Sequence, residues 1–192
     1  MKRISTTTRR VIAVAAAVVA GLAISSAAYA ATSSGTARAA SSPVPRCAAS
    51  ALGVWVAVEQ GNGAAGTIYY PLEFTNLSGQ ACSLYGFPGV SAIGRSGHQL
   101  GSPADWNRAI TPHAVILAPG ATAHTILAYH DVVVSTDAGC DPVYSAELLR
   151  IYPPGEYGAT YAAFDLEVCS HAGPVDMTVW EPIIPGVGTI NG

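Results

Sequence analysis

The chain has one lysine, Lys2. Four of its nine basic residues, Lys2, Arg3, Arg9 and Arg10, fall in the first ten positions, and the other five are arginines set against twelve carboxylates. Without a basic patch to neutralise phosphates, the composition argues against nucleic acid as a partner and against attraction to anionic lipid. Long apolar runs are also missing. Val11–Ile24 is too short for the roughly 20 apolar residues that span a bilayer, and no later segment comes closer. No apolar pattern of helical period is sustained for twelve residues. Several catalytic signatures are absent as well. There is no Cys-x-x-Cys pair and no zinc-like spacing, and no phosphate loop or dinucleotide fingerprint. Gly89-Val90-Ser91-Ala92-Ile93 lacks the second glycine of a serine nucleophile elbow.

What is present begins with an export signal. The basic start, the run Val11–Ile24 and the small residues Ala28-Tyr29-Ala30 read as a secretory signal peptide over residues 1–30, cleaved after Ala30. Thr8-Arg9-Arg10 resembles a twin-arginine signal without the later basic residue, so the export route stays open. No cysteine ends the apolar run for lipid attachment. Removing the signal leaves one domain's length and a net charge of −7, from five arginines and twelve carboxylates. Residues 31–45, rich in Ala and Ser and closing on Pro43-Val44-Pro45, read as a flexible linker. Residues 46–183 are expected to form the domain, and 184–192, after Pro182, a loose tail. The expected location is extracellular or wall-associated.

Cys47, Cys82, Cys140 and Cys169 all lie beyond the signal. An even number in an exported chain implies disulfides, and four allow three pairings. The simplest is Cys47–Cys82 with Cys140–Cys169, each worth about 3–4 kcal/mol in the chain-entropy model.

Strand periodicity dominates the rest. Leu52, Val54, Val56 and Val58 alternate with Gly53, Trp55, Ala57 and Glu59. Ile68, Tyr70, Leu72 and Phe74 alternate with Tyr69, Pro71, Glu73 and Thr75. Pro71 removes a backbone donor, which predicts a sheet edge or a bulge. Further strands are expected at 84–87, 90–93, 115–117, 121–134, 147–152, 164–168 and 175–179, and 101–111 is expected to be a long loop. Seven to nine short strands predict an all-β, immunoglobulin-like antiparallel sandwich.

The order Cys47, Ala65-Gly66, Tyr70, Thr75-Asn76, Cys82, Leu84, Gly86, Pro88-Gly89, Leu117, Pro119-Gly120, Cys140 and Cys169 resembles the secreted actinobacterial family called domain of unknown function 4232. The resemblance spans about Cys47 to Val179. It implies a β-sandwich with two disulfides, and it brings no activity and no catalytic residues.

The candidate chemistry is sparse. Cys169-Ser170-His171 reads as a disulfide neighbourhood rather than a thiolate site. His124 and His130 share a strand face but stand about 20 Å apart, and no metal or other cofactor is expected. Asp165 and Glu167 point away from the face of Phe164, Leu166 and Val168, towards water. The aromatic residues stand out. Trp55, Tyr69 and Trp180 fall opposite the core face, and an immunoglobulin-like order would bring Trp55 and Trp180 together. Trp106 sits in the long loop. These four are the candidate ligand-binding residues of a non-enzymatic module that meets a protein or a cell-wall polymer through its outer face or through loops 101–111 and 157–161. The alternatives are a wall hydrolase with a carboxylate or His site, or a purely structural envelope module. The oligomeric state is not legible.

Overall fold

The structure, a computed structural model, describes residues 43–131, 143–169 and 176–190. The chain divides into Met1–Ala40 and Ser41–Gly192, and everything below concerns the second unit. The expected signal peptide, most of the linker, Cys140 and His171 lie outside the described residues.

Thirteen strand segments follow in order: β1 (Leu52–Val56), β2 (Asn62–Ala64), β3 (Thr67–Asn76), β4 (Cys82–Tyr85), β5 (Gly89–Gly94), β6 (Gln99–Leu100), β7 (Asp105–Trp106), β8 (Ala114–Leu117), β9 (Thr122–His130), β10 (Val143–Tyr152), β11 (Thr160–Cys169), β12 (Met177–Val179) and β13 (Ile184–Pro185). Eight of them have four residues or more, which is the count that alternation can detect; the rest are two- and three-residue pieces. One sheet runs β1-β3-β9-β12-β7, with β2 added to β3 and β13 to β9. The other runs β11-β10-β5-β6, and β4 pairs with β8. Pairing is antiparallel except between β12 and β7. The protein is an all-β sandwich.

The alternating residues meet between the sheets. Leu72 and Phe74 of β3, Leu127 of β9, and Leu149 and Ile151 of β10 are fully buried. Each such side chain stabilises the fold by roughly 1.5–3 kcal/mol relative to exposure. Tyr70 of β3 meets Phe164 of β11 edge-on at 5.0 Å between ring centres, joining the two sheets. Cys47 and Cys82 form the expected disulfide across 35 residues. It ties the chain before β1 to β4. Cys169 is disulfide-bonded as well; its expected partner, Cys140, lies outside the described residues.

Pro71 is a partial correction. β3 is an interior strand, not an edge, yet Pro71 causes no broken ladder. Its carbonyl accepts from Ala57 N–H at 2.9 Å, so its nitrogen faces the same flank. On that flank β1 has just ended, at the Val56–Leu72 pair, and the chain leaves through a 3-10 turn at Val58–Gln60. The missing donor therefore faces the gap between β1 and β2.

Asn76 ends β3 fully buried. Its side-chain nitrogen donates to the carbonyls of Gln80 (2.8 Å) and Leu117 (3.0 Å). Its oxygen accepts from Ser78 N–H (2.9 Å) and Ser78 Oγ–H (2.7 Å). One side chain thus closes the β3–β4 turn and fastens it to β8.

The order of the chain ends also differs from expectation. Pro45 O accepts from Ser83 N–H at 2.8 Å, so the linker's last residue already belongs to the fold. The tail expected to be loose is laid on the first sheet. Ile183 is buried, and Ile184 and Pro185 pair with His124 and Ala123 of β9.

Candidate binding groove

Three irregular segments meet at one end of the sandwich: 85–87 after β4, 106–112 from β7 onward, and 154–155 after β10. They enclose a groove of about 390 Å³ lined by Tyr85, Phe87, Trp106, Arg108, Ile110, Pro112 and Pro154, among others. Phe87 lies nearly parallel to Trp106, with ring centres 5.9 Å apart. The Trp106 indole N–H donates to Pro88 O at 2.8 Å, which locks the ring's orientation. The Arg108 guanidinium rests 4.9 Å from the same ring's centre, a cation–π contact. Arg46 donates to Gly155 O at the groove's margin, 2.9 Å away. Neither Arg46 nor Arg108 has a carboxylate partner among the described residues, and no carboxylate lines the groove. Tyr85 is 60% exposed and Trp106 37%, so their rings are open to a partner.

Trp106 lies in the stretch expected to be a long loop. That stretch contains the short strand β7, which pairs parallel with β12 through Asp105–Thr178 and Trp106–Val179. The pairing positions Trp106.

The other three candidate residues lie elsewhere, on the outer face of the first sheet. Alternation placed them correctly with respect to the core. Trp55 and Trp180 are partly exposed, and Tyr69 meets Trp180 edge-on at 5.6 Å. The expected neighbourhood of Trp55 and Trp180 does not form, because β3 and β9 stand between β1 and β12. In the loop 157–161, Tyr157 is almost fully exposed, and Tyr161 belongs to β11.

Sequence reasoning missed a polar group on that same outer face. Glu73 stands opposite Trp55 on β1 and His124 on β9, and it is completely buried. The C-terminal segment covers it. Gly188 N–H donates to Glu73 Oε1 at 2.8 Å, while Oε2 is buried without a hydrogen-bond partner. His124 Nδ1 lies 2.8 Å from Gly186 O; a carbonyl only accepts, so Nδ1 carries the proton. His124 Nε2 lies 3.8 Å from Glu181 Oε1, an ion pair when the ring is charged. Burial pushes the carboxyl pKa values of Glu73 and Glu181 up, against the opposing effect of His124 and, for Glu73, of the Gly188 N–H. A signal for this arrangement was present in Ile183-Ile184, an apolar pair across the expected boundary between domain and tail.

A second concavity, about 530 Å³, lies at the other end of β10. It is lined by Tyr129, Asp131, Ser145, Glu147, Asp165 and Glu167 among others. Asp165 is exposed and Glu167 half-buried. Glu147 pairs with Arg95, and Glu167 accepts from Ser145 Oγ–H at 2.6 Å. Burial, chiefly, raises the Tyr129 hydroxyl to about 12, so it stays protonated and donates to Glu167 O at 2.8 Å.

No curated protein and no solved structure matches the chain. A family model does, that of the Domain of unknown function (DUF4232), over residues 47–180. That span holds every strand from β1 to β12 together with the whole groove. It is well over half the sequence, and the chain therefore belongs to this family.

Proposed function

We propose that the protein is an exported, non-enzymatic binding module of the cell envelope, and that the groove around Trp106 takes an acidic saccharide. One observation carries this reading: Arg108 is seated on a Trp106 ring that is itself held in place, in a groove without a carboxylate. A stacked guanidinium gives up little freedom when it pairs with a carboxylate or phosphate. The flat, exposed ring of Tyr85 suits the apolar face of a sugar, as aromatic groups do in wet, partly apolar sites, and Trp106 holds Arg108 beside it. The surrounding chain is acidic, so an anion is drawn to this groove and repelled elsewhere.

The test is calorimetric titration of the purified chain with acidic wall polysaccharide and with its carboxyl-reduced form. The reading expects saturable binding of the acidic polymer, weaker binding of the reduced form, and loss of both in Trp106→Ala. Equal binding by wild type and Trp106→Ala would remove the groove as the site. The hydrolase reading needs a loop-built carboxylate or His site, and the groove has no carboxylate in its lining, while the buried Glu73 and His124 lie on strands beneath Gly186 and Gly188. Prolonged incubation should therefore leave the polymer's length unchanged.

A further inference from the structure

The C-terminal segment from Gly186 onward makes three kinds of contact with the outer sheet face. Gly186 N–H donates to Thr122 O at 2.9 Å, and Gly186 O receives the His124 Nδ1 proton. Gly188 N–H donates to Glu73 Oε1. Gly188 also sits so close that an added Cβ would lie 2.6 Å from Pro71 Cβ and 2.6 Å from His124 Cδ2. Val187 between them is 69% exposed, so residues 186–188 are held by their backbone and not by an apolar anchor of their own. The anchor lies earlier, at Ile183.

We infer that residues 186–190 are an acid-tightened strap, closed over Glu73 when its carboxyl is protonated and loosened when that carboxyl is ionised. A buried carboxylate needs several donors to offset its lost hydration. Glu73 has one, from Gly188, and its second oxygen has none. Its surroundings cannot supply more. β1 presents Trp55, which does not titrate. β9 presents His124, whose Nδ1 proton is committed to Gly186. The strap presents only backbone. Glu181, ahead of β13, faces His124 and competes for its charge. Protonation removes the buried charge, and the strap stays down. As pH rises and Glu73 ionises, the anion gains most from water, which reaches it only if the strap lifts.

Lifting the strap changes what the face offers. In register, Pro71 and Glu73 separate Trp55 from the Tyr69–Trp180 pair, and the strap ends over both. When it leaves, Pro71, Glu73 and His124 become accessible between Trp55 and the Tyr69–Trp180 pair. The strap is thus an autoinhibitory cover for the outer face, independent of the groove.

Amide hydrogen exchange on the full mature chain tests this, read at Gly188 and Gly186 and corrected for the intrinsic pH dependence. Between pH 5 and pH 8 the Gly188 protection factor should fall by about tenfold, as for a local opening. The amide of Leu127, in the centre of β9, should keep its protection. Glu73→Gln should show no such fall. Wild type itself supplies a further criterion: the Glu73 carboxyl ¹³C shift and the Gly188 protection must share a midpoint. Unchanged protection in wild type, a fall that persists in Glu73→Gln, or two separate midpoints would overturn the proposal.

Discussion

The groove at the loop end and the strap-covered face of the first sheet hold the same ingredients in opposite states. Each combines tryptophan with charged side chains. In the groove, Arg108 lies exposed on Trp106, without a carboxylate partner among the described residues. On the sheet face, Glu73 and His124 are buried beneath Gly186 and Gly188, whose backbone supplies one hydrogen bond to each side chain. The difference teaches where a partner can act. A ligand entering the groove meets exposed side chains, Tyr85 and Arg108 among them. A ligand at Glu73 must first compete with an intramolecular segment, whose effective concentration is high.

The largest effect is expected at Gly188. Gly188→Ala inserts a methyl group where Pro71 and His124 already meet it. It should destabilise the chain by about 1–3 kcal/mol, the usual cost of overpacking, as read by urea denaturation, and leave groove binding unchanged. A parallel loss of polymer binding would show that the two regions are not independent. Next comes Trp106→Ala, which removes the groove's central ring. Affinity for the acidic polymer should fall by about ten- to a hundredfold, as for a hot-spot aromatic, with a stability cost smaller than that of Gly188→Ala. Arg108→Gln should weaken binding less, by about three- to tenfold, and flatten its salt dependence. If the salt dependence is retained, the anion contacts another group.

The covered face should respond to pH. Burial raises the carboxyl pKa values of Glu73, Asp176 and Glu181 in the folded state. The folded chain therefore binds protons more tightly than the unfolded one. Their contribution to stability is fully present below the ordinary carboxyl range and is lost as pH rises through the elevated values. Thermal stability should accordingly decline from mildly acidic pH towards neutral, and Glu73→Gln should reduce that decline without abolishing it, since Asp176 and Glu181 remain. A wild type that grows steadily more stable over that interval contradicts the assignment. Trp55→Ala should have the smallest effect of all, within about 0.5 kcal/mol of wild-type stability and without change in groove binding.

Much of the fold could be read from residue order, because burying one face of a strand imposes a period of two. Ile68, Tyr70, Leu72 and Phe74 declared β3, and Trp55, Tyr69 and Trp180 declared their outward direction. Cys47 and Cys82 could be paired because the loop between them is short. The groove was legible only in Trp106. Its walls come from three aperiodic segments, and no local pattern announces that residues 85, 106 and 154 converge. Glu73 was illegible for a different reason. A carboxylate at an outward strand position looks solvated, and its partner Gly188 is 115 residues away. Pro182 and Pro185 suggested a loose end, whereas proline's fixed backbone angle equally suits a short extended strap. The separation of Trp55 from Trp180 depends on strand order, which alternation does not encode.

The account stands or falls on Trp106 as the contact with an acidic saccharide, and the chain's three tryptophans make that directly visible. In a chain carrying Trp55→Phe and Trp180→Phe, the remaining indole fluorescence should shift and saturate on titration with the acidic polymer, with the affinity of wild type. The account is contradicted if this chain gives no saturable signal while one carrying Trp106→Phe, with Trp55 and Trp180 intact, does.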